Sequence, residues 1–170
     1  MQIEPIGVIH SCFTHPFAIP RQAGLCPHAK AILCLDKEKI TAQALAGLEN
    51  FSHLWIIFGF HQLKSQRLKQ KVRPPRLGGE KTLGFLASRA PYRPNPIGLS
   101  AVGIEKIVAD ELKITVTGGD FLHLTPIYDI KPYLPYADAL PQATSLGFDI
   151  PPKLPVHSTA EARKAAGDQM

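Results

Sequence analysis

LSAVGIEKIVADELKITVT, residues 99–117, consists of two β-prone runs with a short polar break between them. Leu99 to Val108 and Leu112 to Thr117 are rich in Ile, Val and Thr, and Ala109, Asp110 and Glu111 have the length of a hairpin connection. Antiparallel pairing follows. Working outward, Ile3 to His10, Ala29 to Leu35, Leu54 to Phe60 (LWIIFGF, set between His53 and His61) and Thr82 to Ala87 bring the expected strands to at least six. The clearest helix is expected over Thr41 to Leu48, with Thr41 as N-cap, Ala44, Leu45 and Leu48 as its apolar positions, and Gly47 and Asn50 near its end. Many short strands separated by Pro- and Gly-rich turns, with no period of repeat length, place the chain among mainly β proteins, as a sandwich or barrel with short helices.

A chain of 170 residues, 45% hydrophobic, holds one domain with a real core. Beyond Pro135 the sequence carries Pro141, Pro151, Pro152 and Pro155 and loses its hydrophobic period, so residues 1–138 are read as the domain and 139–170 as a Pro-rich extension. The longest apolar run, near Leu54 to Phe60, is far shorter than the roughly 20 residues a membrane helix needs, and MQIEPIGVIH shows no export pattern. A cytoplasmic protein is expected. Cys12, Cys26 and Cys34 are odd in number and lack C-x-x-C spacing, which argues against a disulfide framework or a zinc knuckle and for small buried thiols. No metal is expected.

Charge is unevenly spread. Between His61 and Arg93 stand nine Lys or Arg (Lys64, Arg67, Lys69, Lys71, Arg73, Arg76, Lys81, Arg89 and Arg93) against one acid, Glu80, although the whole chain carries only +5. Within that span VRPPRLGGEKTLGFLASRAPYRPNPIGLS, residues 72–100, fixes its arginines among prolines that lock φ and glycines that admit unusual backbone geometry. Rigid basic turns suit phosphate contact, with Arg73, Arg76 and Arg93 as the RNA-binding candidates. No G-x-G-x-x-G follows a strand, and no P-loop, H-E-x-x-H or nucleophile-elbow motif is present, so dinucleotide binding of the Rossmann type, P-loop phosphoryl transfer and zincin hydrolysis drop out. The residues alone leave a small-molecule barrel and an RNA-binding module both open.

Six segments, in order, resemble the TsaA-like (TrmO) family: PIGVIHS at 5–11, FAIPRQAGL at 17–25, GLENFSHLWIIFGFHQ at 47–62, VRPPRLGG at 72–79, SRAPYRPNPIGLS at 88–100 and TPIYDIKPYLPYAD at 125–138. The resemblance implies an antiparallel β-barrel methyltransferase without a Rossmann fold, typically dimeric, that uses S-adenosylmethionine to methylate N6 of threonylcarbamoyladenosine at tRNA position 37, beside the anticodon. It also implies that bacterial relatives continue into a small C-terminal domain, so this chain is expected to lack or truncate it. By position, the family's cofactor contacts fall on Pro20, Arg21, Gln22, His61, Gln62, Arg89, Leu99 and the run Asp120, Phe121, Leu122, His123. Arg21 or Arg89 suits the cofactor carboxylate, and Asp120 suits its ribose hydroxyls or ammonium.

One departure stands out. Relatives of this type read Asp-Gly-Thr-Pro where this chain has His123-Leu124-Thr125-Pro126. A positive φ at that glycine would strain Leu124 and require the loop to re-form. For the N6 proton, made more acidic by the carbonyl attached to that nitrogen, the candidate bases are Asp129 and His123, with an Asp129–Lys131 ion pair as the structural alternative for Asp129. The alternative to a methyltransferase is a non-catalytic S-adenosylmethionine- or RNA-binding module on the same barrel.

Overall fold

The computed structural model describes residues 2–63, 70–73 and 82–144. Arg76, most of the basic segment between 64 and 81, and most of the 139–170 extension lie outside the described residues. Six strands close into an antiparallel barrel: β1 (Gly7–Ser11), β2 (Lys30–Leu35), β3 (His53–Gly59), β6 (Ile97–Val108), β7 (Lys113–Thr117) and β8 (Thr125–Pro132), in the order β1-β2-β7-β6-β3-β8. Two-residue strands β4 (Lys71–Val72) and β5 (Leu83–Gly84) form a separate ribbon, and one helical turn, α1 (Pro135–Asp138), follows β8. Closure removes the free sheet edges on which other chains pair.

Alternation drives the barrel. Ile9 on β1, Ala31 and Leu33 on β2, Leu54 and Ile56 on β3, Val102 on β6, Ile114 and Val116 on β7 and Ile127 on β8 all point inward and are buried. Intervening residues face out, as the two-residue period requires. The hairpin at 109–111 forms as the sequence implies, through a 3-10 turn, Ala109–Glu111, that ends with Leu112 in the left-handed region at φ 54°. Leu112 tolerates that geometry because its side chain is only 8% exposed in the core cluster.

Several expectations need correction. The helix expected over Thr41 to Leu48 is two 3-10 turns, Ala42–Leu45 and Leu48–Asn50, interrupted by Gly47 at φ 86°. Leu45 is buried and Leu48 packs half-buried against the core, but they belong to separate turns, so the apolar spacing marks two anchoring contacts and not a helical face. Thr82 to Ala87 yields a strand of two residues followed by a 3-10 turn, Phe85–Ala87. The first strand begins at Gly7 and not at Ile3. Cys12 and Cys26 are exposed and Cys34 is half-buried, so the cysteines are not the buried thiols expected. The TPIYDIKP run, read as a motif, is the eighth strand, with its two prolines at Pro126 and Pro132.

Candidate cofactor site at one mouth of the barrel

The topology decides which loops meet. In an antiparallel barrel the end of β1 and the start of β2 lie at the same rim, and so do the end of β3, the start of β6, the end of β7 and the start of β8. The segments leaving that rim are 12–29, 60–63, 85–96 and 118–124. They carry Pro20, Arg21, Gln22, His61, Gln62, Arg89, Asp120, Phe121, Leu122 and His123, with Leu99 three residues into the rim strand β6. Eleven positions scattered over about a hundred residues therefore stand on or beside one rim, with interactions joining Gln22 to Arg89, Arg89 to Asp120 and His61 to His123, while the 109–111 hairpin, Leu45 and α1 belong to the other end.

Backbone bonds fix the loops. The amide of Gly24 donates to the carbonyl of Gly118 at 2.8 Å, with Gly24 at φ 81° and Gly118 at φ 78°, so two left-handed glycines seat the β1–β2 loop on the end of β7. In the β7–β8 loop, His123 N–H donates to Phe13 O and Leu124 N–H to Ile9 O, each at 2.8 Å. Leu124 holds the left-handed conformation, φ 63°, with its side chain 51% exposed. The strain the sequence raised is present: the loop keeps a left-handed residue and places leucine there.

The floor of the mouth is aromatic. Phe58 packs edge-on to Phe121 with centroids 5.0 Å apart and to Phe60 at 5.4 Å. Gly98, on the neighbouring strand, makes room for the Phe58 ring, since a Cβ there would stand 2.3 Å from Phe58 Cζ. Phe121 is fully buried and Leu122 nearly so. Of the sequence-named positions these two offer a ligand mainly their backbone, whereas Leu99, 53% exposed, lies in the outward phase of β6, paired with Ile57 on the outer face of the wall.

Above that floor sits a polar cluster drawn from three loops and a strand. Arg89 Nη1 donates to Gln22 Oε1 at 2.8 Å, which joins the 85–96 loop to the β1–β2 loop. Asp120 accepts from the buried Ser100 hydroxyl at 2.6 Å. Burial pushes the Asp120 carboxyl above its ordinary value, while the Ser100 bond, backbone bonds from its own residue and Ala23, and the positive charge of Arg89 pull the other way. A cation and a carboxylate thus share one mouth, with side-chain spacing set by separate loops.

The histidines form a second group. Partial desolvation lowers His61 below the usual imidazole value, opposed by a bond to the backbone of His123. His123 Nδ1 lies 3.3 Å from the Ser11 amide and 3.1 Å from the Ser11 carbonyl, so its tautomer selects which partner it engages. Its ring stands edge-on to His10 at 5.2 Å. Among the described residues no group of three or more His, Cys, Asp or Glu is arranged as a metal site.

Three sequence candidates lie apart from the cluster. Asp129 is on β8 opposite Ile57, four residues from the start of that strand, or roughly 13 Å along it. The register shifts between Ile57 and Phe58, so Tyr128 is bulged and Ile130, not Asp129, packs against the core. Asp129 then bonds Lys131 at 2.7 Å on the outer face, the ion-pair alternative of the sequence reading. Arg93 donates through Nη1 to Phe85 O at 3.0 Å and Ser88 O at 2.8 Å, and its guanidinium lies 5.6 Å from the centre of the Phe85 ring. Arg93 therefore braces the loop that carries Arg89. Arg73 is exposed beside β4. Ser100 was not among the named residues, although a lone Ser in the inward phase of GLSAV was the signal for it.

A small closed barrel with an ionic and aromatic mouth, and with no parallel nucleotide-binding sheet among the described residues, is the class of domain the fold and site define: a barrel without a Rossmann sheet. Comparison with known proteins sharpens that class. The family model for the tRNA-methyltransferase O N-terminal domain matches residues 8–139, and the chain belongs to that family of S-adenosylmethionine-dependent tRNA methyltransferases. It is 44% identical over 167 residues to the tRNA (adenine(37)-N6)-methyltransferase of Escherichia coli K12, covering 96% of this chain and 71% of that protein. It is also 46% identical over 165 residues to a Pseudomonas aeruginosa protein provisionally named S-adenosylmethionine-dependent methyltransferase RcsF, covering 96% and 68%. The crystal structure of TrmO from Pseudomonas aeruginosa superposes with a TM-score of 0.75 at 41% identity, covering 89% of this chain and 64% of that one. The chain thus spans about two thirds of these relatives' length. Among the described residues no helix is long and apolar enough to cross a membrane.

Proposed function

We propose that this chain transfers a methyl group from S-adenosylmethionine to N6 of adenine 37 in tRNA bearing threonylcarbamoyladenosine. The observation that supports the reading most strongly is the convergence of Gln22, Arg89, Asp120, His61 and His123 at one rim of the barrel, joined by the Arg89–Gln22 bond. The donor set fits the cofactor. Arg89 suits a carboxylate and Asp120 an ammonium or ribose hydroxyl, each through a charge-assisted bond. When bound, S-adenosylmethionine supplies an electrophilic methyl on a sulfonium whose departure leaves no net charge. The residues therefore act chiefly by alignment and by keeping water out over the Phe58–Phe121 floor.

His123, on the β7–β8 loop, is the base that takes the N6 proton in this reading, since Asp129 is engaged by Lys131 on the outer face of β8. The basic segment supplies sequence-independent phosphate contact through Arg73 and its neighbours, and a splayed anticodon-loop base presents N6 to the mouth. The enzyme works in the cytoplasm as a homodimer, a reading supported by the family resemblance and by exposed apolar side chains at Phe17, Leu86 and Leu99 on rim segments. Calorimetry tests the cofactor site. Arg89→Ala is expected to weaken S-adenosylmethionine binding by about 1.5–3 kcal/mol, the worth of a bond to a charged group. Unchanged affinity removes Arg89 from the site, and a chain that binds no S-adenosylmethionine refutes the assignment.

A further inference from the structure

Ser100 is out of place for packing alone. Within β6 the inward positions are Gly98, Ser100 and Val102, and Ser100 pairs across to Ile56, a fully buried core residue. Only Ser100, 4% exposed, and Thr125 are buried polar residues among those described. An inward strand position of a small barrel favours an apolar side chain, because burying a hydroxyl costs free energy unless it is well bonded. Here the hydroxyl is well bonded, donating from Oγ to Asp120 Oδ1 at 2.6 Å. Asp120 belongs to a different element, the β7–β8 loop, so one hydroxyl ties the rigid wall to the ligand mouth.

We propose that Ser100 is a positioning residue for the cofactor, holding Asp120 in the rotamer and charge state that accept from the cofactor's ammonium or ribose hydroxyl. The role rests on the proposed function above. It follows from the chemistry around Asp120. Burial favours the neutral acid, which presents one oxygen as a donor and is a poorer acceptor; a hydroxyl donor favours the carboxylate. The groups facing Asp120 are Ser100 from the wall, the Ala23 backbone from the β1–β2 loop and the charge of Arg89 from the 85–96 loop. Arg89 is itself engaged by Gln22, so Ser100 is the donor whose position the barrel fixes directly.

The test uses Ser100→Ala, Ser100→Cys and Ser100→Thr, with Asp120→Asn as reference, in the full chain with folding verified by circular dichroism. Cysteine fills the space but donates weakly, so it stands in if alanine disturbs the core. Carbon-detected NMR of the ligand-free protein should show the Asp120 carboxyl titrating at higher pH in the Ala and Cys variants and near the parental value in Ser100→Thr. Calorimetry should show S-adenosylmethionine affinity at pH 7.5 reduced roughly tenfold in Ser100→Ala, the loss of one bond to a charged group. That loss should vanish in the Asp120→Asn background. Parental affinity in folded Ser100→Ala and Ser100→Cys, an unmoved Asp120 titration, or a full additive loss in Asp120→Asn overturns the role alone. A parental chain that binds no S-adenosylmethionine overturns the cofactor reading and the role with it.

Discussion

Leu112 and Leu124 share one backbone conformation and differ in what surrounds their side chains, so replacing each by glycine separates strain from packing. Both have left-handed φ, 54° and 63°. Relief of that geometry is worth roughly 1–2 kcal/mol, and the added freedom of glycine in the unfolded chain takes back about 0.5–1 kcal/mol. For Leu124, 51% exposed, half a leucine's burial is lost as well, about 1 kcal/mol. These terms nearly cancel, and Leu124→Gly is expected to lie within about 1 kcal/mol of the parent. Leu112 is 8% exposed in the core, where deleting a leucine side chain costs about 2–5 kcal/mol. Its glycine variant should therefore lose about 2–4 kcal/mol net, or some 5–15 °C in melting temperature for a domain of this size. Urea unfolding measures both at constant m-value. A Leu124→Gly variant destabilised as much as Leu112→Gly would refute the reasoning, because it would mean the Leu124 side chain is held by contacts that half exposure does not allow.

Gly98→Ala places a methyl 2.3 Å from Phe58 Cζ and should cost about 1–3 kcal/mol of stability by overpacking, read in the same urea series; a neutral result would show that the Phe58 ring moves freely. His61, depressed by desolvation, binds its proton less readily folded than unfolded, so the stability it contributes is present above its ordinary value of 6.5 and is lost as pH falls from there through the folded value. His61→Gln should remove that step from a melting-temperature profile between pH 5 and 8, and a profile identical to the parent's would refute the shift. Replacing Arg73 and Arg76 together with Ala should lower tRNA affinity and flatten its logarithmic salt slope by up to about two units, measured by filter binding; an unchanged slope would assign the RPPRLGG turn a structural role.

The strands were legible because they alternate and the 109–111 turn is short, both local properties, but these left a sandwich and a barrel both open, and the barrel itself was implied by the family resemblance. The cofactor positions came from the family resemblance and not from the pattern of residues; the antiparallel topology then sets those scattered positions on or beside one rim. What escaped was set by long-range packing. The phase of β8 flips at Tyr128, whose ring lies against Gly59, where a Cβ would meet the Tyr128 hydroxyl at 2.6 Å. Nothing within TPIYDIKP reveals that flip, and it carries Asp129 outside the wall. The 41–48 segment misled because Gly47 interrupts it after a single turn, with Leu45 and Leu48 on separate turns. Cys12 and Cys26 are exposed because they sit in the rim loops and not in strands.

The most direct test of the central claim is to follow a labelled methyl group from S-adenosylmethionine into tRNA and identify the acceptor nucleoside. The chain should be incubated with tRNA from cells that make threonylcarbamoyladenosine and from cells that do not, followed by digestion and mass spectrometry. Label is expected in N6-methylated threonylcarbamoyladenosine from position 37 of the first tRNA pool and not in the second. Cofactor binding without label in either pool, or label in any other nucleoside, would contradict the assignment.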